Sequence, residues 1–156
     1  MSSHLSSEQY LSYLSIFNEF PNEPSELRDL CFDSMLDSPT TTLILTLAET
    51  VLEAQALHLK TASYIKYFDS KKISIEWRNR YCFLKTFIDW WMTTEHYSDL
   101  QKRIAAAYPY SATYYKYNKK TGKYEKKIYA DDLLKRVEHY SDMLIPISHS
   151  LTVLYD

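Results

Sequence analysis

Hydrophobic residues recur every three or four positions through most of this chain, a spacing that predicts α-helices. Near the beginning, Ser6 and Gln9 have the spacing of a capping box, in which each residue satisfies a free backbone group at a helix start. The apolar stripe that follows consists of Tyr10, Tyr13, Leu14, Phe17 and Phe20. Pro21 and Pro24 interrupt it, because proline lacks the backbone donor that a helix interior needs. The sequence therefore predicts a first helix from about Ser6 to Phe20.

Two further helices are predicted before residue 66. The second covers about residues 25–36, and its buried stripe consists of Leu27, Leu30, Cys31 and Met35. Ser38 followed by Pro39 is typical of a helix start, with Ser38 as the N-cap. Apolar positions then continue to Ile65 and cover much of the helix circumference. Such a helix belongs in the middle of a bundle.

A fourth helical segment begins near Ser74, after a predicted turn at residues 69–73. Its stripe consists of Trp77, Tyr81, Leu84, Ile88 and Trp91. The segment either bends near Thr93 and Thr94 or continues as far as Pro109. Two long helices joined by a short turn predict an antiparallel αα-hairpin. Four of its central side chains are expected to face one another: Leu47, Val51, Leu84 and Ile88.

The pattern changes at residues 111–129, where two β-prone runs flank Gly122, the only glycine of the chain. We predict a β-hairpin here, with a three-residue loop at 120–122 in which Gly122 adopts a positive φ. This loop would place Lys116 opposite Lys126, and Tyr115 opposite Lys127. Two opposed lysines repel each other.

A last helix is predicted after the β-hairpin, capped by Asp131 and Asp132. Beyond Pro146 the spacing fits either a helix or a strand, and the helical surroundings favour the helix. The sequence thus predicts a mainly α protein: a helical bundle around a long antiparallel αα-hairpin, with the β-hairpin before the C-terminal helix. We expect one domain, residues 1–156, from which the β-hairpin at 111–129 protrudes.

Candidate chemistry is sparse. A single glycine excludes glycine-rich phosphate loops and dinucleotide fingerprints. The five histidines have no metal-ligand spacing, and Cys31 and Cys82, interpreted as buried reduced thiols, add none. Glu49 and Glu53 are four residues apart on a largely apolar helix, and we interpret them as its solvent-facing strip. We therefore predict no catalytic residue, no metal and no cofactor.

The charge is unevenly distributed. The first 60 residues hold nine acidic and two basic residues, whereas the remainder holds eleven acidic and sixteen basic ones. This asymmetry is compatible with a charged partner, with homo-oligomers or with a solvated surface. No signal peptide or membrane span is apparent, so we expect a cytoplasmic protein without membrane contact.

The β-hairpin is the candidate partner-binding site, because it combines tyrosines with six of the eighteen basic residues. The residues assigned to this site are Tyr115, Lys116, Tyr117, Lys119, Lys120, Lys123, Tyr124, Lys126 and Lys127. Such a surface suits an acidic protein partner or, alternatively, a nucleic acid whose bases stack on tyrosines. It also suits an ordinary hairpin whose lysines discourage edge aggregation.

The predicted function is a small non-enzymatic protein-binding module of the inhibitor, immunity (antidote) or adaptor type. It would act through the basic hairpin or through the acidic N-terminal face. Nucleic-acid binding ranks second, since a pI of about 6.2 lies well below that of typical nucleic-acid binders. A helical-bundle enzyme without a recognisable motif ranks third.

Overall fold

The computed structural model describes residues 25–93 and 95–156. These residues form α1 (Ser25–Asp33), α2 (Ser38–Tyr67), α3 (Ile75–Thr93), α4 (His96–Ala107), β1 (Thr113–Asn118), β2 (Lys123–Ile128) and α5 (Tyr129–Tyr155), with 3₁₀ turns at Ser70–Lys72 and Tyr108–Tyr110. The predicted mainly α fold, with an antiparallel hairpin before the C-terminal helix, is confirmed. The helix predicted near Ser6 lies outside the described residues.

α1 ends earlier than the periodicity predicted, because the chain turns sharply after Asp33. The amide of Leu36 donates to the carbonyl of Cys31, and the amide of Met35 donates to that of Phe32. These two bonds form a Schellman motif, which closes a helix with a left-handed residue. Met35 occupies that position with φ 62°.

The N-cap of α2 is Asp37, so the assignment of Ser38 as the cap was wrong by one residue. The Asp37 carboxylate accepts a hydrogen bond from the backbone N–H of Thr40 at 2.8 Å. Hydrogen bonding from Thr40 lowers the pKa of Asp37 below its usual value. Pro39 lies in the first turn, as predicted, where its missing N–H costs no helical bond.

The helical segment that begins near Ser74 bends near Thr93, which was one of the two predicted alternatives, since α3 ends there and α4 starts at His96. The predicted caps of the last helix were wrong: Asp131 and Asp132 lie inside the first turn of α5. The Ser111 hydroxyl instead accepts from the backbone N–H of Ala130 at 3.0 Å, so the base of the β-hairpin satisfies this helix start.

α5 continues through Pro146 to Tyr155, which confirms the helical interpretation of the tail. It also makes the most extensive helix–helix contact in the described chain, with α2. The four side chains expected at the centre of the αα-hairpin are all buried: Leu47, Val51, Leu84 and Ile88. The core thus lies between α2, α3 and α5, and α1 and α4 add buried side chains to it.

The tandem tryptophans of α3 divide between core and surface. Trp91 is buried and donates from Nε1 to the Ser141 hydroxyl at 3.3 Å. Trp90 is partly exposed and its ring lies 3.8 Å from that of His96. On the same helix, Cys82 is a free but exposed thiol, so its predicted burial was wrong. Its place on the side of α3 turned from the core explains this.

Candidate functional site

The register of the β-hairpin differs from the prediction by one residue. Lys116 lies opposite Glu125, and Tyr115 lies opposite Lys126. The predicted Lys116–Lys126 and Tyr115–Lys127 pairs were therefore wrong.

The cause is a four-residue loop at 119–122. The side-chain oxygen of Asn118 accepts from the backbone N–H of Lys120 at 2.9 Å, and the Gly122 amide donates to the Asn118 carbonyl at 2.8 Å. The asparagine turn adds one residue to the loop. Gly122 adopts φ 69°, as predicted.

One face of the hairpin carries most of its exposed aromatic surface. We call the residues Tyr115, Tyr117, Tyr124 and Lys126 the outer face. Side chains alternate along a strand, so these four lie on the same side of the sheet. The three tyrosines are 69%, 50% and 72% exposed, and the rings of Tyr117 and Tyr124 lie 5.2 Å apart. This aromatic surface is open to a partner.

The opposite face is partly neutralised by Glu125. Its carboxylate accepts from the Asn118 side-chain amide at 2.8 Å and lies 3.4 Å from the Lys127 ammonium. The hydrogen bond from Asn118, followed by the one from Lys127, lowers the pKa of Glu125. Lys127 therefore has a partner within the hairpin and differs from the other predicted site lysines.

The remaining site lysines concentrate positive charge around the hairpin. These lysines are Lys116, Lys119, Lys120, Lys123 and Lys126. None of the five forms an ion pair with another residue that the structure describes. Lys119 and Lys120 lie in the loop, and Lys126 lies between the tyrosines of the outer face. The strand residues predicted for the site are therefore divided between two faces: the outer face carries Tyr115, Tyr117, Tyr124 and Lys126, and the opposite face carries Lys116, Lys123 and Lys127.

The hairpin is joined to the helices at its base. The backbone N–H of Ala112 donates to the carbonyl of Asp33 in α1 at 2.8 Å. The Tyr114 hydroxyl donates to the Asp132 carboxylate, and the ring of Tyr114 lies 4.6 Å from that of Tyr129. The base is therefore held against α1 and α5, while the outer face remains exposed.

A trough of about 780 Å³ lies beside β1. Its walls come from α1, β1 and α5: Glu26, Asp29, Leu30, Asp33, Tyr114, Tyr115, Lys116, Tyr129, Asp132, Lys135 and Arg136. Glu26 and Arg136 form an ion pair at 2.8 Å across it. Part of the acidic N-terminal face considered in the sequence thus lies next to the basic hairpin. Sequence reasoning missed this trough, because it joins α1 to residues of β1 and α5 that lie far away along the chain.

A second depression of about 440 Å³ lies between α2 and α3. Ile75 and Phe83 form its apolar part, and Glu53 and Arg80 border it. Glu49 and Glu53 are both exposed, which agrees with their interpretation as a solvent-facing strip. This depression contains none of the predicted site residues.

Within residues 25–93 and 95–156, no group of three His, Cys, Asp or Glu side chains has the arrangement of a metal site. No helix in this part of the chain has both the length and the apolar character that crossing a membrane requires. Comparisons with protein-family models, with curated proteins and with solved structures found no match for this chain.

Proposed function

We propose that this protein is a non-enzymatic binding protein, of the inhibitor, antidote or adaptor type, whose β-hairpin docks on an acidic surface of a protein partner. One observation carries the proposal: three exposed tyrosines adjoin lysines that have no carboxylate partner in the described chain. Tyrosine is favoured at interface hot spots because it provides a large rigid surface with a polar tip. Unpaired lysines add long-range attraction to an acidic partner.

Charge supports a protein partner over a nucleic acid. The whole chain has a formal net charge of −2, and the carboxylates of Asp29 and Asp33 line the trough beside the hairpin. These groups repel a phosphate backbone that extends beyond the hairpin. A protein partner can instead present acidic residues to the lysines and other chemistry to the trough. The exposed tyrosines keep single-stranded nucleic acid as the second candidate, since bases stack on such rings.

The test compares two tyrosine variants in affinity purification from the native host. The double variant Tyr117→Ala/Tyr124→Ala removes the adjacent rings of the outer face. Tyr67→Ala is the control, because Tyr67 is as exposed as Tyr124 and lies at the end of α2, outside the hairpin. The partner that the parent captures is then purified, and its direct affinity for all three proteins is measured by titration calorimetry.

We expect the double variant to bind the purified partner at least tenfold more weakly than the parent, and the control to bind as the parent does. Equal affinities for the parent and the double variant would refute the proposal. Capture that disappears after nuclease treatment would support the nucleic-acid alternative. Steeply salt-dependent binding to single-stranded RNA or DNA in a mobility-shift assay would support it as well.

A further inference from the structure

The outward edge of β1 presents unpaired backbone groups. The amide of Tyr129 donates to the carbonyl of Ala112. Paired residues of an antiparallel ladder alternate between those that exchange hydrogen bonds and those that do not. Ala112 belongs to a hydrogen-bonded pair, so every second residue after it on β1 also bonds β2. The residues between them are Thr113, Tyr115 and Tyr117, and their N–H and C=O groups point away from β2. The described sheet has two strands, so these groups have no strand partner there.

The trough follows this edge. Its lining includes three consecutive β1 residues, Tyr114, Tyr115 and Lys116, whose side chains alternate between the two faces of the sheet. It includes no residue of β2. A cavity that touches both faces of one strand and neither face of the next lies alongside the first strand. The open backbone edge of β1 therefore borders the trough.

The α1 wall of the trough is acidic. Glu26 forms an ion pair with Arg136, and the Asp132 carboxylate accepts a hydrogen bond from the Tyr114 hydroxyl. Asp29 and Asp33, four residues apart on one side of α1, have no ion pair within the described residues. Lys116 and Lys135 line the same trough but form no ion pair with these two carboxylates, so the acidic α1 wall can still pair with a basic side chain from outside.

The geometry points to a binding site for an extended peptide segment of a protein partner, which adds to β1 as a third strand and places a lysine or arginine against Asp29 and Asp33. Strand addition of this kind takes affinity from main-chain hydrogen bonds and specificity from alternate side chains. The site uses the backbone edge of β1 and does not require the rings of Tyr117 and Tyr124, so the inference goes beyond the proposed function.

The β2 edge is a poorer candidate. The same alternation turns the backbone groups of Tyr124, Lys126 and Ile128 outward there. The trough includes no residue of this strand, and the exposed lysines of β2 oppose strand addition. The same substitution on the β2 edge can therefore serve as a control for one on the β1 edge.

The probe is the blocked heptapeptide Thr-Val-Lys-Val-Lys-Val-Thr at millimolar concentration. A second peptide has glutamate in place of both lysines. Two more peptides are N-methylated at every second residue, one at the odd positions and the other at the even positions, so that each loses the backbone donors of one edge. Binding is followed by NMR on the full chain, together with amide hydrogen exchange. We expect the lysine peptide to bind and to protect the amides of Tyr115 and Tyr117. The glutamate peptide should bind at least fivefold more weakly, and only one of the N-methylated peptides should bind.

Variants locate the contact. Tyr115→Pro removes an outward N–H without breaking the ladder, because an edge strand tolerates proline there. Lys126→Pro makes the same change on β2, and Tyr115→Ala controls for the lost ring. The pair Asp29→Asn/Asp33→Asn is compared with Glu49→Gln/Glu53→Gln, which changes two exposed carboxylates on α2.

We expect Tyr115→Pro to abolish binding, while Lys126→Pro and Tyr115→Ala retain at least one fifth of the parent affinity. The aspartate pair should weaken binding about fivefold and the glutamate pair should leave it unchanged. No binding by any peptide, equal binding of both N-methylated peptides, or protection of Tyr124 and Lys126 instead would overturn the inference. The Tyr117→Ala/Tyr124→Ala protein should still bind the peptide, so this site and the outer face are tested separately.

Discussion

Tyr114 on β1 donates its hydroxyl hydrogen to the carboxylate of Asp132 in the first turn of α5, and this bond fastens the β-hairpin to the C-terminal helix. Burial raises the pKa of Tyr114 to about 12, and the hydrogen bond and charge of Asp132 act in the same direction. A carboxylate near a helix N-terminus is itself favoured by the helix dipole. The contact therefore depends on a protonated phenol facing an ionised acid.

The first prediction concerns alkaline pH. The folded state holds the Tyr114 proton more tightly than the unfolded state, in which the phenol has its ordinary pKa of 10.0. The stabilisation is thus fully present below pH 10 and is lost as the pH rises through about 12. The tyrosinate absorbance of the parent and of Tyr114→Phe is measured against pH. The difference between the two curves should show one ionisation with a midpoint near 12.

Asp132→Asn is the control for the cause of this shift. It removes the negative charge, so the midpoint of the difference titration should move toward 10.0. A parent midpoint already at the ordinary value would mean that Tyr114 is solvated and that the hairpin base is open.

The second prediction concerns the core of the αα-hairpin. Leu84 is 3% exposed, whereas its neighbour Phe83 on the same helix is 77% exposed. Leu84→Ala should cost about 2–5 kcal/mol, because it loses burial and leaves a cavity. Phe83→Ala should change the free energy of unfolding by less than about 0.5 kcal/mol. Chemical denaturation of both variants decides this, and similar costs would mean that the buried face of α3 is misassigned.

Most helices could be predicted because their signals are local. The three-to-four periodicity located α2, α3 and α5, and the break near Thr93 was one of two stated alternatives. The helix ends were less predictable, since they depend on single hydrogen bonds. Asp37 rather than Ser38 caps α2, and Ser111, from the other end of the hairpin, satisfies the start of α5.

The candidate site shows the same division. Its lysines and tyrosines were apparent from composition, but the strand register depended on the Asn118 side chain, which lengthens the loop by one residue. The trough was not predictable, since the bond between Ala112 and Asp33 joins segments that no local pattern relates. A single sequence therefore does not reveal which distant segments contact each other.

The third prediction separates binding from folding in the hairpin. Lys119, Lys120 and Lys123 are exposed and form no ion pair in the described chain, so their joint replacement by alanine should leave the melting temperature nearly unchanged. Gly122→Ala is the contrasting variant, because φ 69° is unfavourable for any residue with a Cβ. It should cost about 1–2 kcal/mol. A large loss of stability in the triple variant would make the loop lysines structural.

The fourth prediction concerns a buried hydroxyl pair that joins the end of α5 to α2. Thr61 and Tyr155 are hydrogen-bonded at 2.7 Å, and the Tyr155 ring stacks on that of Tyr81 at 4.6 Å. Thr61→Val keeps the side-chain shape but leaves the Tyr155 hydroxyl without this partner, which should cost about 1–3 kcal/mol.

A double-mutant cycle tests whether that cost comes from the hydrogen bond. Adding Tyr155→Phe to Thr61→Val removes the stranded hydroxyl, so the double variant should recover much of the stability that the single variant lost. Thr86→Val is the control, since the exposed Thr86 hydroxyl donates to the carbonyl of Cys82 within its own helix. Urea denaturation of the four proteins and the control gives the coupling free energy. A coupling near zero would show that Tyr155 reaches solvent and that the last turns of α5 pack more loosely than the 2.7 Å contact implies.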